Sequence, residues 1–202
     1  MKFNYWVVLL AVAGLGQMVS NLAHAEVYDI DPTHSHVGFT VRHLLGKVPG
    51  EFKDFEGQFD MNEKKPESSN VKFTVKSASI NTNNEKRDGH LQSADFFDVE
   101  KFPTLTFVSK KVVPKDKKHF TLQGDMTIHG VTKPATFDLE YLGSLKDPWG
   151  NQRASFNAKS VVNRKDYGIV WNKTLDSGST MLGEDVTVDM DVEAVKHVEA
   201  KK

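Results

Sequence analysis

Arg87 and His90 stand three residues apart in the stretch Asn83 to Phe97. If that stretch is helical, they share a face with Leu91 and Ala94, which sets cationic donors beside an apolar stripe. Such a pair suits a phosphate or quinone oxygen, and the planar fork of arginine can make two parallel hydrogen bonds to phosphate. The competing reading is mechanical: Arg87 and Asp88 anchor the helix to its surroundings through ion pairs and hydrogen bonds. Arg42, at the end of the first strong apolar run, is a weaker candidate of the same kind. His34-x-His36 places two imidazoles on one side of an extended segment, a spacing metals can use. A zinc site needs at least a third protein ligand, and nothing in the sequence brings His43 to that position, so no metal site is expected. Ser35 and Ser93 lie in no nucleophile-elbow pattern. Asp95, Asp98 and Glu100 read as a solvated helix end, and no glycine-rich loop sits between a strand and a helix. No catalytic residue and no cofactor are assigned.

The elements that must position these groups are almost all strands. Val37, Phe39 and Val41 alternate with polar or small residues, as do Phe55, Gly57, Phe59 and Met61, and then Val71, Phe73 and Val75. Leu105 and Phe107, Phe120 and Leu122, Met126 and Ile128 continue the pattern. So do Phe137, Leu139 and Tyr141, then Phe156 and Ala158, then Val186, Val188, Met190 and Val192. Successive strand side chains point to opposite faces, so each run has one apolar and one wet face. Glu63–Asn70, Pro114–Lys117, His129–Val131 and Asp147–Asn151 carry turn chemistry. About eight such strands pack as a sandwich or close into a barrel, and closure removes exposed edges. Two stretches break the period. Residues 84–97 predict a short helix with an asparagine cap, weakened by Gly89, and His43 to Pro49 reads as irregular.

Lys2, the apolar run from Tyr5 to Leu15 and the small residues of Ala23-His24-Ala25 have the order of a secretory signal peptide, with cleavage expected after Ala25. The run is shorter than the roughly 20 residues a spanning helix needs. The expected domains are residues 1–25 as signal peptide and 26–202 as one barrel, with Ala200-Lys201-Lys202 a frayed end. With Lys2 removed, 25 basic residues face 27 acidic ones, a balance that gives no general attraction to nucleic acid. The chain has no cysteine, so stability in an oxidising compartment rests on burial and the β-ladder. A bacterial periplasm is the expected location.

An eight-stranded barrel is just wide enough to fill with side chains or to hold one small ligand. Of the 13 phenylalanines, many lie on the alternating apolar faces. They serve either a packed core or a tunnel for a chain-like ligand. In the tunnel reading the lining is Val37, Phe39, Val41, Phe55, Phe59, Phe73, Val75, Leu91, Phe97, Phe107, Phe120, Phe137 and Phe156, with Arg42, Arg87 and His90 at the head group.

Several segments carry a resemblance over nearly the whole expected mature chain. They are Gly50-x-Phe52-x-x-Phe55-x-Gly57, Asn84-x-x-Arg87-Asp88-x-His90-Leu91-x-Ser93-Ala94-Asp95-Phe96-Phe97, and Lys101-Phe102-Pro103-x-x-x-Phe107. Gly124 to Pro134, Asp147 to Phe156 and Arg164-Lys165-Asp166-Tyr167-Gly168 complete the set. Together they resemble the YceI-like polyisoprenoid-binding family. The resemblance implies an all-β, lipocalin-like extended antiparallel barrel in the periplasm, with an elongated apolar cavity for a long isoprenoid, isoprenoid quinone or similar lipid. It brings no catalytic residues. Two other readings stay open: a packed barrel that binds a protein partner at its rim, and an enzyme acting on a lipid held in the cavity. A homodimer through an apolar edge is also open.

Overall fold

The computed structural model describes residues 26–62, 64–176 and 178–198. The expected signal peptide and the end Ala200-Lys201-Lys202 lie outside the described residues. Eleven strand segments form one sheet: β1 (Glu26–Ile30), β2 (His36–His43), β3 (Gly46–Phe52), β4 (Phe55–Met61), β5 (Asn70–Lys76), β6 (Ile80–Asn81), β7 (Thr104–Pro114), β8 (His119–Ile128), β9 (Val131–Lys146), β10 (Gln152–Asn163) and β11 (Leu182–Lys196). All pairings between them are antiparallel.

These segments amount to eight long strands running up and down. β1 and β2 are one strand broken at residues 31–35, since β11 pairs with β1 through Ala194 to Lys196 and with β2 through Leu182 to Asp191. β3 and β4 are likewise halves of one strand, as are β5 and β6, because β4 pairs with β5 and β3 with β6. β11 closes the sheet onto β1, and the result is a closed eight-stranded antiparallel barrel with one short helix.

The alternation read from sequence sets the inward face: Val37, Phe59, Val75, Phe107, Leu122, Phe137, Ala158 and Val192 are all buried. Irregularities between Ser109 and Lys111, and between Ser155 and Phe156, let β7 and β10 bend with the wall. β8 and β9 meet in the two-residue turn His129-Gly130, with φ of 50° and 73°, the left-handed pair a tight hairpin needs.

Three expectations are corrected. His43 to Pro49 is not irregular: β2 and β3 form a hairpin turning at Leu44-Leu45, with Thr40 opposite Pro49. β6 pairs with β3 only at Glu51 and Phe52, so β3 is an edge at Pro49, where a sheet tolerates proline. The predicted helix over 84–97 is shorter. Asn84 caps it, its side chain accepting from the Arg87 N–H at 3.0 Å, but α1 spans only Glu85–Gln92. The Ser93 hydroxyl donates to the His90 carbonyl at 2.8 Å, and the Phe97 N–H donates back to Leu91 at 3.0 Å, so the chain turns. Ala94 is exposed rather than on the apolar stripe, and Phe96 is buried in its place. Finally, β1 is a strand the alternation did not register, although Tyr28 is only 1 % exposed.

One end, called upper here, carries the β2–β3 and β8–β9 turns, α1 and the long connection from β10 to β11. The other carries the loop before β5 and the turns at residues 115–118 and 147–151. At the upper end the wall splits. β5 and β7 pair only as far as Lys76 and Thr104, β6 pairs only with β3, and residues 82–103 with α1 occupy the gap.

Candidate binding cavity

The barrel interior holds two apolar cavities, about 350 Å³ in the lower half and about 450 Å³ in the upper. Native cores leave few voids larger than one water molecule, so this barrel is not packed solid. Phe73, Phe137 and Met190 line both cavities and form a waist between two lobes of one interior.

The lower lobe is walled by continuous strands. Phe59 and Phe156 meet edge to face at 5.5 Å, Phe107 and Phe137 at 5.2 Å, and Tyr141 leans on Phe156 at 5.0 Å. Its polar lining is Asp60, Asn62, Ser69 and Lys117, drawn from the lower loops and strand ends.

The upper lobe is walled by the broken strands, α1 and the β10–β11 connection. Phe97 meets Phe52 edge to face at 5.8 Å. His90, Phe96 and Trp171 form an aromatic corner, with His90 edge-on to Trp171 at 4.9 Å and Phe96 tilted against it at 5.1 Å. Lys86, Arg87 and His90 line this lobe and are also exposed to solvent, so it reaches the surface beside α1.

Twelve of the thirteen proposed lining residues line one lobe or both. Phe59, Phe107, Phe120 and Phe156 line the lower lobe. Val37, Phe39, Val41, Val75, Leu91 and Phe97 line the upper, and Phe73 and Phe137 belong to both. Phe55 is the exception: it is buried and leans on Phe73 at 5.8 Å without bordering either lobe.

The three head-group candidates separate. Arg42 points outward and donates to the Leu44 carbonyl at 2.9 Å; it borders neither lobe, because strand alternation puts it opposite Val41. Arg87 borders the upper lobe and also anchors the helix. Its Nε donates to Thr82 Oγ1 at 2.6 Å and its Nη2 to the Thr82 carbonyl at 2.7 Å. Asp88 completes the anchor by accepting from the Thr82 N–H at 2.9 Å. His90 borders the lobe with Nε2 donating to Asp95 at 2.8 Å.

The sequence reading missed Arg164. It is 6 % exposed and borders the upper lobe. Its Nε donates to the Gly183 carbonyl at 2.8 Å, and its Nη1 to Ile169 at 2.7 Å and Trp171 at 2.8 Å. Burial holds its pKa below the usual arginine value, against a smaller opposing pull from Glu184. The available signal was a charged residue closing a strand whose inward positions are apolar.

The remaining candidates are engaged elsewhere. His34 lies 2.8 Å from Asp31, and His36 lies 3.4 Å from Glu51, so the two imidazoles face different carboxylates. Asp31, His34 and Glu193 come close enough together to hold a cation. That place is taken by Arg153, whose Nη1 reaches Asp31 at 3.0 Å and Glu193 at 2.5 Å. The Ser35 hydroxyl bonds the Glu193 backbone, donating to its carbonyl at 3.1 Å. Neither Ser35 nor Ser93 bonds an imidazole among the described contacts.

A closed antiparallel barrel enclosing an elongated, aromatic-lined interior is the architecture of a protein that sheathes an apolar molecule. Residues 28–194 match the YceI-like domain family, and the chain belongs to that family. A UPF0312 protein of Pseudomonas putida strain W619 is 39 % identical over 186 residues, covering 91 % of this chain and 93 % of that one. The YceI protein of Campylobacter jejuni superposes with a TM-score of 0.68 at 32 % identity, covering 78 % of this chain and 90 % of that one. A polyisoprenoid binding domain from Saccharophagus degradans shares the fold with a TM-score of 0.59 at 13 % identity, over 84 % of this chain and 98 % of that domain.

Proposed function

We propose that this chain is a periplasmic binding protein that holds one long apolar chain, a polyisoprenoid, isoprenoid quinone or similar lipid, for carriage or sequestration and without chemistry. The observation that carries the reading is the pair of apolar lobes meeting end to end at Phe73, Phe137 and Met190. β9, at 16 residues, extends roughly 50 Å at about 3.3 Å per residue, so even a tilted wall encloses a long path. Each CH₂ taken from water contributes about 0.8 kcal/mol, against an association cost of about 4–15 kcal/mol. Tight binding therefore asks for a chain well beyond ten carbons, which suits an interior of two lobes rather than one. The family membership and the polyisoprenoid-binding neighbour support the same reading.

Mass spectrometry of an organic extract from the purified, natively folded protein tests it. A stoichiometric long-chain isoprenoid or acyl species is the expected result. No ligand, together with no uptake of added polyprenol or quinone, would overturn it in favour of a partner-binding barrel. Sequencing the N-terminus of the protein recovered from periplasm tests the secretion route, and Glu26 as the first residue is expected.

A further inference from the structure

The two lobes differ in charge. Among the described residues, the lower lobe is bordered by one carboxylate and one ammonium, Asp60 and Lys117. The upper lobe is bordered by Lys86, Arg87 and Arg164, and by no carboxylate among the described residues. Within that set Arg164 is in an unusual state. A guanidinium offers five N–H donors, one on Nε and two on each Nη. Three of them reach backbone carbonyls, through Nε and both hydrogens of Nη1. Nη2 is buried without any partner, alone in this respect among the described side-chain nitrogens and oxygens.

Its charge has only distant compensation, from Glu184. No carboxylate lies within ion-pair distance of Arg164 among the described residues, and Glu184 is held by Lys165, whose Nζ lies 2.5 Å away. A buried cation with no ion-pair contact and one hydrogen-bonding group unmet is costly to keep. An anionic oxygen seated in the lobe beside Arg164 would supply an ion-pair partner, and a small turn of the side chain, whose Nη2 is now shielded, would give that nitrogen its acceptor. A neutral alcohol would supply a weaker acceptor and no charge.

Resting on the lipid-binding reading above, we infer that the upper lobe is the head-group end and that Arg164 is its anchor for an anionic oxygen, phosphate or carboxylate in chemistry. The ligand then lies with its acidic head beside Arg164, near the surface opening at Lys86 and Arg87, and its tail passes the waist into the lower lobe. Arg87, already committed to Thr82, adds charge to that end and is secondary to Arg164.

The test compares two probes with the same twenty-carbon chain, geranylgeranyl phosphate and geranylgeraniol, on the delipidated mature protein. The wild type is expected to prefer the phosphate by about tenfold or more, the scale of a hydrogen bond to a charged group. Arg164→Gln is expected to bring the phosphate-to-alcohol preference down to about one. That ratio is read within the single variant, so any loosening of the lobe, which acts on both probes alike, cancels. Loss of a purely structural pin would weaken both and leave the ratio. Equal binding of both probes to the wild type overturns the head-group assignment and leaves lipid binding intact, whereas binding of neither overturns lipid binding itself. A folded Arg164→Gln that keeps the preference, or an Arg87→Gln that loses all of it, overturns the choice of Arg164. Should Arg164→Gln fail to fold, wild-type protein labelled with ¹⁵N-arginine decides, since the chain has only four arginines to resolve. A shift of the buried Arg164 side-chain signal with the phosphate and not with the alcohol supports the anchor, and no shift with either probe overturns it. A fatty acid and its alcohol, run in parallel, distinguish a carboxylate head from a phosphate one.

Discussion

The lower lobe and the upper lobe are built from the same alternating sequence pattern, yet they are made in different ways. Below the waist, β4, β5, β7, β8, β9 and β10 supply continuous strands interrupted only by the irregularities between Ser109 and Lys111 and between Ser155 and Phe156. Apart from the phase change these cause, the lining follows from strand alternation. Above it, β5 and β7 part company, and the wall is completed by Leu91 from α1 and by Phe96, Phe97 and Trp171 from irregular chain. Regular sheet makes a uniform apolar sheath. The inserted segments bring what a sheet cannot easily offer, namely cationic groups and a route to the surface. Under the proposed function, that difference gives the tail to one half and recognition to the other.

The largest expected effect falls on the waist the two lobes share. Phe73→Asp puts an unpartnered carboxylate between them and should cost at least about 3 kcal/mol, enough to unfold or empty the barrel. A variant that melts like the wild type and still carries lipid would mean that Phe73 does not face the interior. Next comes a change confined to the lower wall. A Cβ at Gly124 would collide with the Val108 carbonyl oxygen and the Phe107 ring. Backbone cannot swing aside, so Gly124→Ala should cost about 2 kcal/mol, read from chemical denaturation.

Asn84→Ala sharpens the contrast from the other side. It removes the α1 cap at about 1 kcal/mol. The loss should appear as faster amide exchange in Glu85–Gln92 and weaker ligand retention, with the lower-lobe strands unchanged. Equal loosening of both halves would show that the helix is not a separable wall.

The smallest effect is conditional on pH. Asp147 is pushed upward by burial but held down more strongly by hydrogen bonds from Arg153, Asn151 and backbone N–H groups, from an ordinary 3.8 to about 2. A depressed carboxylate stabilises the fold above its unfolded value and ceases to do so as the pH falls through its folded value. The wild type should therefore lose melting temperature between about pH 4 and pH 2, and Asp147→Asn should flatten that part of the profile. An unchanged acid limb in the variant would remove the Arg153 cluster as its cause.

What could be read from sequence follows the same division. Strand phase needs only local alternation, so the sequence alone puts Phe59, Phe107, Phe120 and Phe156 in the interior. Alternation puts Phe55 on the correct face, but its position outside both lobes depends on where the strand breaks between β3 and β4, which is set by their pairing with different partners, β6 and β5. Phe96 and Trp171 lie outside any period, and only the fold brings them together at 5.1 Å. Arg164 was visible as part of a motif, but its burial and free Nη2 come from the carbonyls of residues five to nineteen positions away. The anchoring alternative for Arg87 and Asp88 was open from sequence, and the bonds to Thr82 realise it through hydrogen bonds rather than ion pairs.

The most direct test of the central claim, that the two lobes form one site for one chain, is methyl NMR during titration with a long polyprenol. Leu122 and Val112 report on the lower lobe, and Ile80 and Val186 on the upper. The account predicts that all four shift together and saturate at one ligand per protein. Shifts confined to one lobe, or two lobes saturating separately, would contradict it.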